Sequence, residues 1–265
     1  MNMICVQEQH LPGNSMEEKW ETAQEWGFDG IELRGKGDFG FRKRLPELRK
    51  AAARGIPMPT VCVEMLHFIG AFDATQRQDA IVQMKSLLDV MAEIGGRGAM
   101  TPASYGMFSD RLPPFVAPRS TEEDRAVLID GLGQLGAHAA TLGVELYLEP
   151  LNRYENHMVR RLDDAVSLIK EIGLDSVKVA ADTYHMNIEE ADPAAALLAA
   201  GPYIGHVQAS DSNRLEPGAG HIDWALFGST VRAIGYTGPV ALESRLSGPA
   251  QDVLPASPVL LRRFL

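Results

Sequence analysis

Three carboxylates end apolar runs in the second half of the chain: Glu149 in "YLEPLNRYE", Asp182 in "VAADTYH" and Glu243 in "VALESR". Between the last two lies "HVQASDSNRLEPGAGHIDW" (206–224), which begins as an alternating strand. It then fills with polar groups, Gln208, Ser210, Asp211, Asn213 and Arg214, and ends in a glycine-proline loop. A carboxylate at the edge of an apolar core is costly unless it is paired, hydrogen-bonded or bound to a metal. One such residue could be a helix cap. Three converging on one rim are better explained by a divalent cation. Carboxylates beside a bound cation suit proton transfer next to a polarised carbonyl.

Convergence requires a fold that brings those strand ends together. Short β-branched runs recur at 3–7, 30–35, 59–65, 97–102, 144–150, 177–182, 204–210 and 239–244, separated by helical patterns. Ser15 with Glu18, and Thr121 with Asp124, read as N-terminal caps with an acidic residue three positions on. Gly27, Gly55, Gly95, Gly143, Gly173, Gly201 and Gly235 read as helix C-terminal caps. "GFDGIEL" and "GYTGPVAL" repeat the same helix-to-strand wording, a weak sign of an internal repeat. Eight strands alternating with helices over this length predict an α/β fold, a (β/α)8 TIM barrel, as one domain spanning 1–265. A doubly wound sheet is the runner-up, but its glycine-rich phosphate loop is missing. In a barrel the strand C-terminal ends carry the chemistry, and neighbouring strands lie about 4.8 Å apart, so ligands on strands five to eight can surround one ion.

The remaining features narrow the class. The chain has 265 residues, 45% hydrophobic and 23% charged, with a net charge of −10. That balance argues against nucleic acid as a partner. Cys5 and Cys62 sit in apolar strand-like runs and read as reduced core residues. No signal peptide or membrane span is visible, so a cytoplasmic protein is expected. Two segments, 66–74 and 103–119, are long for connections. Their Phe68, Phe72, Met107, Phe108 and Phe115 fit an apolar cover over a pocket and a homo-oligomer contact equally well.

The segments "EPLNRYE" (149–155), "DTYHMN" (182–187), "HVQASDSNR…PGAGHIDW" (206–224) and "GYTGPVALES" (235–244) resemble the sugar isomerase/epimerase group of xylose-isomerase-like TIM barrels. The likeness runs the whole chain in order, with only "GFDGIELRG" to carry it in the first half. It implies a metal held by Glu149, Asp182, the seventh-strand residue and Glu243. The group's ketose 3-epimerases carry "HxH" on that strand, whereas this chain reads His206-Val207-Gln208. Hydroxypyruvate-isomerase-like members carry "HxQ", which points to Gln208 as the ligand. His206 then lies roughly 6.6 Å deeper along the same strand face, as a support for the site or a core histidine. Substrate contacts implied are Glu155, His185 and Arg214; a helix cap is the rival role for His185 and a loop salt bridge for Arg214. His221, Asp223 and Trp224 read as a loop tied back before the last helix.

The resemblance further implies Glu149 and Glu243 as an acid/base pair flanking the substrate, with proton transfer through a metal-bound enediolate. Return of the proton to the opposite face of the same carbon gives epimerisation; return to the next carbon gives isomerisation. Four oxygen ligands suit Mn2+, with Mg2+ or Co2+ as partial substitutes. The expected substrate is an unphosphorylated keto sugar or small hydroxy-carbonyl compound. Arg153, Arg160 and Arg161 are the groups that could offset Glu155 if a phosphate were present. Three alternatives stand: a lyase of the 3-dehydroshikimate dehydratase type, a non-catalytic sugar-binding protein, and an endonuclease of the endonuclease IV type. Seven histidines, few of them at strand ends, weigh against the last.

Overall fold

The computed structural model of the chain describes residues 2–106 and 116–265. The strands are β1 (Ile4–Gln7), β2 (Gly30–Lys36), β3 (Thr60–Glu64), β4 (Gly98–Pro102), β5 (Glu145–Glu149), β6 (Val177–Asp182), β7 (Ile204–Ala209) and β8 (Val240–Leu242). They close in sequence order into a parallel barrel. The helices are α1 (Met16–Glu25), α2 (Gly40–Lys43), α3 (Leu45–Ala53), α4 (Ala74–Glu93), α5 (Thr121–Leu142) and α6 (Leu162–Ile172). After them come α7 (Thr183–Glu189), α8 (Pro193–Ala200), α9 (Trp224–Ala233), α10 (Ala250–Val253) and α11 (Ala256–Phe264). The eight predicted strands and the TIM barrel are therefore present. The two segments with repeated wording lead into β2 and β8, which flank β1 and close the barrel around it. None of the described helices is long and apolar enough to cross a membrane.

Period-two alternation sorts the strand side chains between two environments. Ile4, Val6, Ile31, Leu33, Leu146, Leu148, Val177, Val179, Val240 and Leu242 belong to the large core under the helices. Met100, Tyr147 and Ala180, with Cys62 against them, form a separate small cluster. Tyr147 needs unusual room: a Cβ on Gly98 or Gly205 would lie within 2.8 Å or 2.7 Å of its ring. Its hydroxyl donates to Glu145 at 2.9 Å. Cys5 and Cys62 are free thiols, as expected.

Helix punctuation departs from the sequence reading in small ways. Ser15 caps α1 through the Glu18 amide, as predicted. The α5 cap lies one residue earlier than expected, with Ser120 and Glu123 forming a reciprocal capping box in place of Thr121 and Asp124. Asp124 is instead drawn to Arg119 and His157. Six of the seven glycines have positive φ. Gly201 is right-handed, because the chain runs on into a 3-10 turn; glycine serves there for space, since a Cβ would meet Ile234 at 2.9 Å. Two helices follow β8, so α9 is the last helix only before the final strand.

Candidate active site

The C-terminal ends of β5 to β8 bring Glu149, Asp182, Gln208 and Glu243 to one rim. Asp182 and Gln208 are paired in register. Gln208 is opposite Ala241, two residues before Glu243. Strand β8 stops at Leu242, yet the Glu243 amide still donates to the Ala209 carbonyl at 3.2 Å. Asp182 serves two partners at once. Its Oδ1 accepts from the Tyr184 and His185 amides at the start of α7, at 2.8 and 3.1 Å. Its Oδ2 accepts from Arg214 at 2.6 Å.

Arg214 reaches this rim from an unusual backbone. Its φ is +63°, a left-handed conformation that costs a non-glycine residue. Hydrogen bonds from its amide to the Asp211 carbonyl and from the Arg245 amide to its own carbonyl hold it there. The guanidinium bridges Asp182 and Glu243, the latter at 3.1 Å, and covers the Tyr184 ring at 5.0 Å. The rival salt-bridge role is thus real, and it joins the carboxylates of the site itself.

Three carboxyls share one guanidinium, so full ionisation of all three would leave uncompensated negative charge in a buried place. The titration of the groups follows. Burial, reinforced by the charges of Glu243 and Asp182, pushes the Glu149 carboxyl well above the usual carboxylate range. Glu243 is pushed up to about 7 by burial first, against the pull of Arg214. Burial opposes ionisation of Asp182 too, but the Arg214 guanidinium and the hydrogen bond from the His185 amide outweigh it and hold the pKa below its ordinary value. Among the described residues, none hydrogen-bonds to Glu149 Oε1, Gln208 Oε1 or Glu243 Oε2, although all three atoms are buried. Three buried acceptors with no hydrogen-bond partner among the described residues, two of them on carboxyls whose ionisation burial opposes, fit a divalent cation that would stabilise their charged forms.

Glu149, Asp182 and His185 also offer atoms within 4.8 Å of one another, a candidate metal cluster that includes a histidine. The ring's hydrogen bonds argue against that role. His185 Nδ1 faces the Asn152 amide at 3.0 Å and so must accept. The proton of the neutral ring then sits on Nε2, 3.7 Å from Glu149 Oε1. Burial lowers the His185 pKa and keeps the ring neutral. His185 is therefore a hydrogen-bond donor aimed at the site, and its position inside α7, after the Asp182 cap, rules out its own capping role.

A cavity of about 520 Å³ opens over the rim, within the range of about 300–1,000 Å³ usual for small-molecule sites. Glu149, Glu155, His185, Arg214 and Glu243 line it, together with Phe68 and Tyr105. A family model, the xylose isomerase-like TIM barrel, matches residues 20–263 of this chain.

The chain belongs to the xylose isomerase-like TIM barrel family.

Within it, 3-dehydro-D-guloside 4-epimerase of Escherichia coli (strain K12) is 39% identical over 251 residues, 94% of this chain and 95% of that protein. D-psicose 3-epimerase of Agrobacterium fabrum is 41% identical over 120 residues, 45% of this chain and 42% of that protein. A crystal structure of 3-keto-D-glucoside 4-epimerase from E. coli, in the apo form, superposes with a TM-score of 0.92 at 38% identity. It covers 99% of this chain and 100% of that one. The chain is an enzyme of the isomerase/epimerase class, which sets aside the non-catalytic reading.

The family barrel here departs from the sequence reading in its surroundings. Of the expected apolar cover, Phe68 does wall the cavity, 6.4 Å from the Tyr105 ring. Phe72 turns instead to Arg119 and His157. Met107, Phe108 and Phe115 lie outside the described residues. Arg153 is committed to Glu189 at 2.8 Å and Arg161 to Asp163 at 3.3 Å. The loop of His221, Asp223 and Trp224 is tied back on Asp211, whose carboxylate accepts from the Ile222 and Gly218 amides and the Trp224 indole.

Sequence reasoning missed Glu32. This residue of β2 is fully buried and accepts from Thr60 (2.8 Å), His206 (2.7 Å), Gln7 (2.9 Å) and Gln208 (3.2 Å). Burial works to raise its pKa, but attraction to His206 and the hydrogen bonds win, and the net shift is downward. His206 is thus bound beneath the site. The signal was available: an acidic residue between Ile31 and Leu33 on the inward face of "GIELRG".

Proposed function

We propose that this enzyme epimerises a keto sugar carried as a glycoside, at the carbon next to its carbonyl. Glu149, Asp182, Gln208 and Glu243 would hold a divalent metal, Mn2+ by their all-oxygen donors, and Glu149 and Glu243 would exchange the proton. The observation that carries the reading is the trio of buried, unpartnered oxygens on Glu149, Gln208 and Glu243. The substrate class follows the 4-epimerases that match nearly the full chain. The cavity volume leaves space for a sugar ring together with a small aglycone.

A bound divalent cation supplies positive charge that offsets negative charge developing on the substrate's carbonyl oxygen. The side chains do the rest. Arg214 and the Nε2–H of His185 donate hydrogen bonds to hydroxyl or carbonyl oxygens and orient the ring, while Glu155 accepts from a hydroxyl at the cavity edge. One of Glu149 and Glu243 removes the proton from one face of the carbon. The other, protonated, returns a proton to the opposite face, which inverts that centre. Asp182 takes no proton, because Arg214 keeps it ionised.

The test is a screen of 3-keto-glycosides beside free ketoses, with added Mn2+ in D2O, read by NMR. Deuterium entering the carbon next to the keto group, with a second epimer accumulating, is the expected result. Exchange with free ketoses alone would move the assignment to ketose 3-epimerisation. Absence of exchange in every sugar, or loss of water as product, would refute it.

A further inference from the structure

A primary amide has an oxygen end and a nitrogen end of nearly the same size, and only the oxygen binds a hard cation. Something must therefore decide which end of Gln208 faces the rim. Its Nε2 donates to Glu32 Oε2 at 3.2 Å, and its Oε1, without a partner, is left for the site. We propose that Glu32 is a positioning residue that locks the Gln208 amide with its oxygen toward the metal site. The inference rests on the reading of Gln208 as a metal ligand.

The geometry makes the lock one-way. A carboxylate only accepts, so turning the amide over would set Gln208 Oε1 against Glu32 Oε2 with no proton between them. Glu32 cannot swing aside to permit it. Thr60 and His206 hold its Oε1, and Gln7 shares its Oε2. Gln7 is itself oriented, because Gln9 Nε2 donates to its Oε1 at 2.6 Å and leaves the Gln7 amide nitrogen for Glu32. Glu32 has no exposure to water that could supply an alternative donor or acceptor. The orientation runs from Gln9 and Gln7 on the β1 side, through Glu32 on β2, to Gln208 on β7.

Glu32→Gln replaces one acceptor with an amide nitrogen. With that nitrogen in the Oε2 place, where it also displaces the Gln7 amide, Gln208 can turn its oxygen inward to it and show its own NH2 to the site, which repels a cation. Mn2+ affinity, read from the EPR signal of free Mn2+, should fall at least about 10-fold, as for other changes behind a metal ligand. Circular dichroism and melting should show a folded barrel. Adding Gln208→Glu to that variant exchanges the amide and the carboxylate. The amide at 32 then donates to one oxygen of Glu at 208, and the other oxygen faces the site whichever way the group turns. Affinity should return to within about three-fold of the starting protein, and the two changes should be strongly non-additive in a cycle that includes Gln208→Glu alone.

Unchanged Mn2+ affinity in Glu32→Gln, or additive effects of the two changes, would overturn the inference. If Glu32→Gln does not fold, Gln208→Glu with and without it still decides: the exchanged pair must bind Mn2+ more tightly than Gln208→Glu alone. A starting protein that binds no Mn2+, or whose binding survives Glu149→Gln, defeats the metal-site reading itself.

Discussion

Glu8 offers a measurable electrostatic contribution outside the reacting groups. It follows β1 in a short 3-10 turn and is 4% exposed. Arg44 donates to both of its oxygens, at 2.8 and 2.7 Å, Lys19 donates at 2.8 Å, and the Arg34 amide donates at 3.2 Å. Burial works to raise its pKa, but Arg44 and Lys19 prevail and lower it from 4.5 to about 2. At about 1.4 kcal/mol per unit, a depression of that size corresponds to about 3 kcal/mol of stability at neutral pH. The folded pKa lies below the unfolded one, so this stability is complete above the unfolded value and is lost as pH falls toward the folded one. By about pH 3, about 2 kcal/mol of it should be gone. Urea unfolding of the wild type and Glu8→Gln at neutral pH and near pH 3 provides the comparison. The gap between the two proteins should be about 3 kcal/mol at neutral pH and shrink to about 1 kcal/mol in acid. A gap of the same size at both pH values would show that packing, not the ionised carboxylate, carries the effect.

Other expectations concern the rim. Glu149→Gln and Glu243→Gln should each lose at least about 10²-fold in turnover, the lower range for a positioned acid or base; near-normal rates in both, measured under saturating Mn2+, would end the two-glutamate scheme. Arg214→Ala should impair turnover yet bind Mn2+ at least as tightly, since a positive charge beside Asp182 and Glu243 is removed. Weaker binding in a metal titration would instead make Arg214 a support for the strand-β7 tip. Gln208→His should shift relative affinity toward Co2+ and Zn2+, because imidazole favours the later metals; an unchanged order of affinities would place Gln208 away from the metal. Saturating Mn2+ at about 100 times its dissociation constant should add about 3 kcal/mol of stability that EDTA removes, seen as a lower melting temperature.

The strands and the rim carboxylates were legible because their signals are local. A strand announces itself within a few residues through period-two alternation, and Glu149, Asp182 and Glu243 each stand at the end of such a run. Most helix ends were legible for the same reason, while Thr121 and Ser120 differ by a choice between adjacent hydroxyls that only the backbone makes. Glu32 was not legible as part of the site. Its partners His206 and Gln208 lie 174 and 176 residues away in sequence, and they meet it only inside the closed barrel. The bridge from Arg214 to two carboxylates was hidden similarly, since it depends on a left-handed backbone at a non-glycine residue.

The two roles of Asp182 limit what chain length that position tolerates. Its Oδ1 starts α7 and its Oδ2 faces Arg214, so one short side chain spans a helix end and a charged rim. The other two rim carboxylates, Glu149 and Glu243, carry no helix and have one methylene more. A glutamate at 182 would keep the charge but overshoot the Tyr184 and His185 amides, for helix capping favours the shorter acid. The first turn of α7 would then fray, and His185, which sits in it, would lose its aim at Glu149. Drift at this position is thus punished twice, once in folding and once in the aim of a ring that meets the mutated side chain only through its backbone amide.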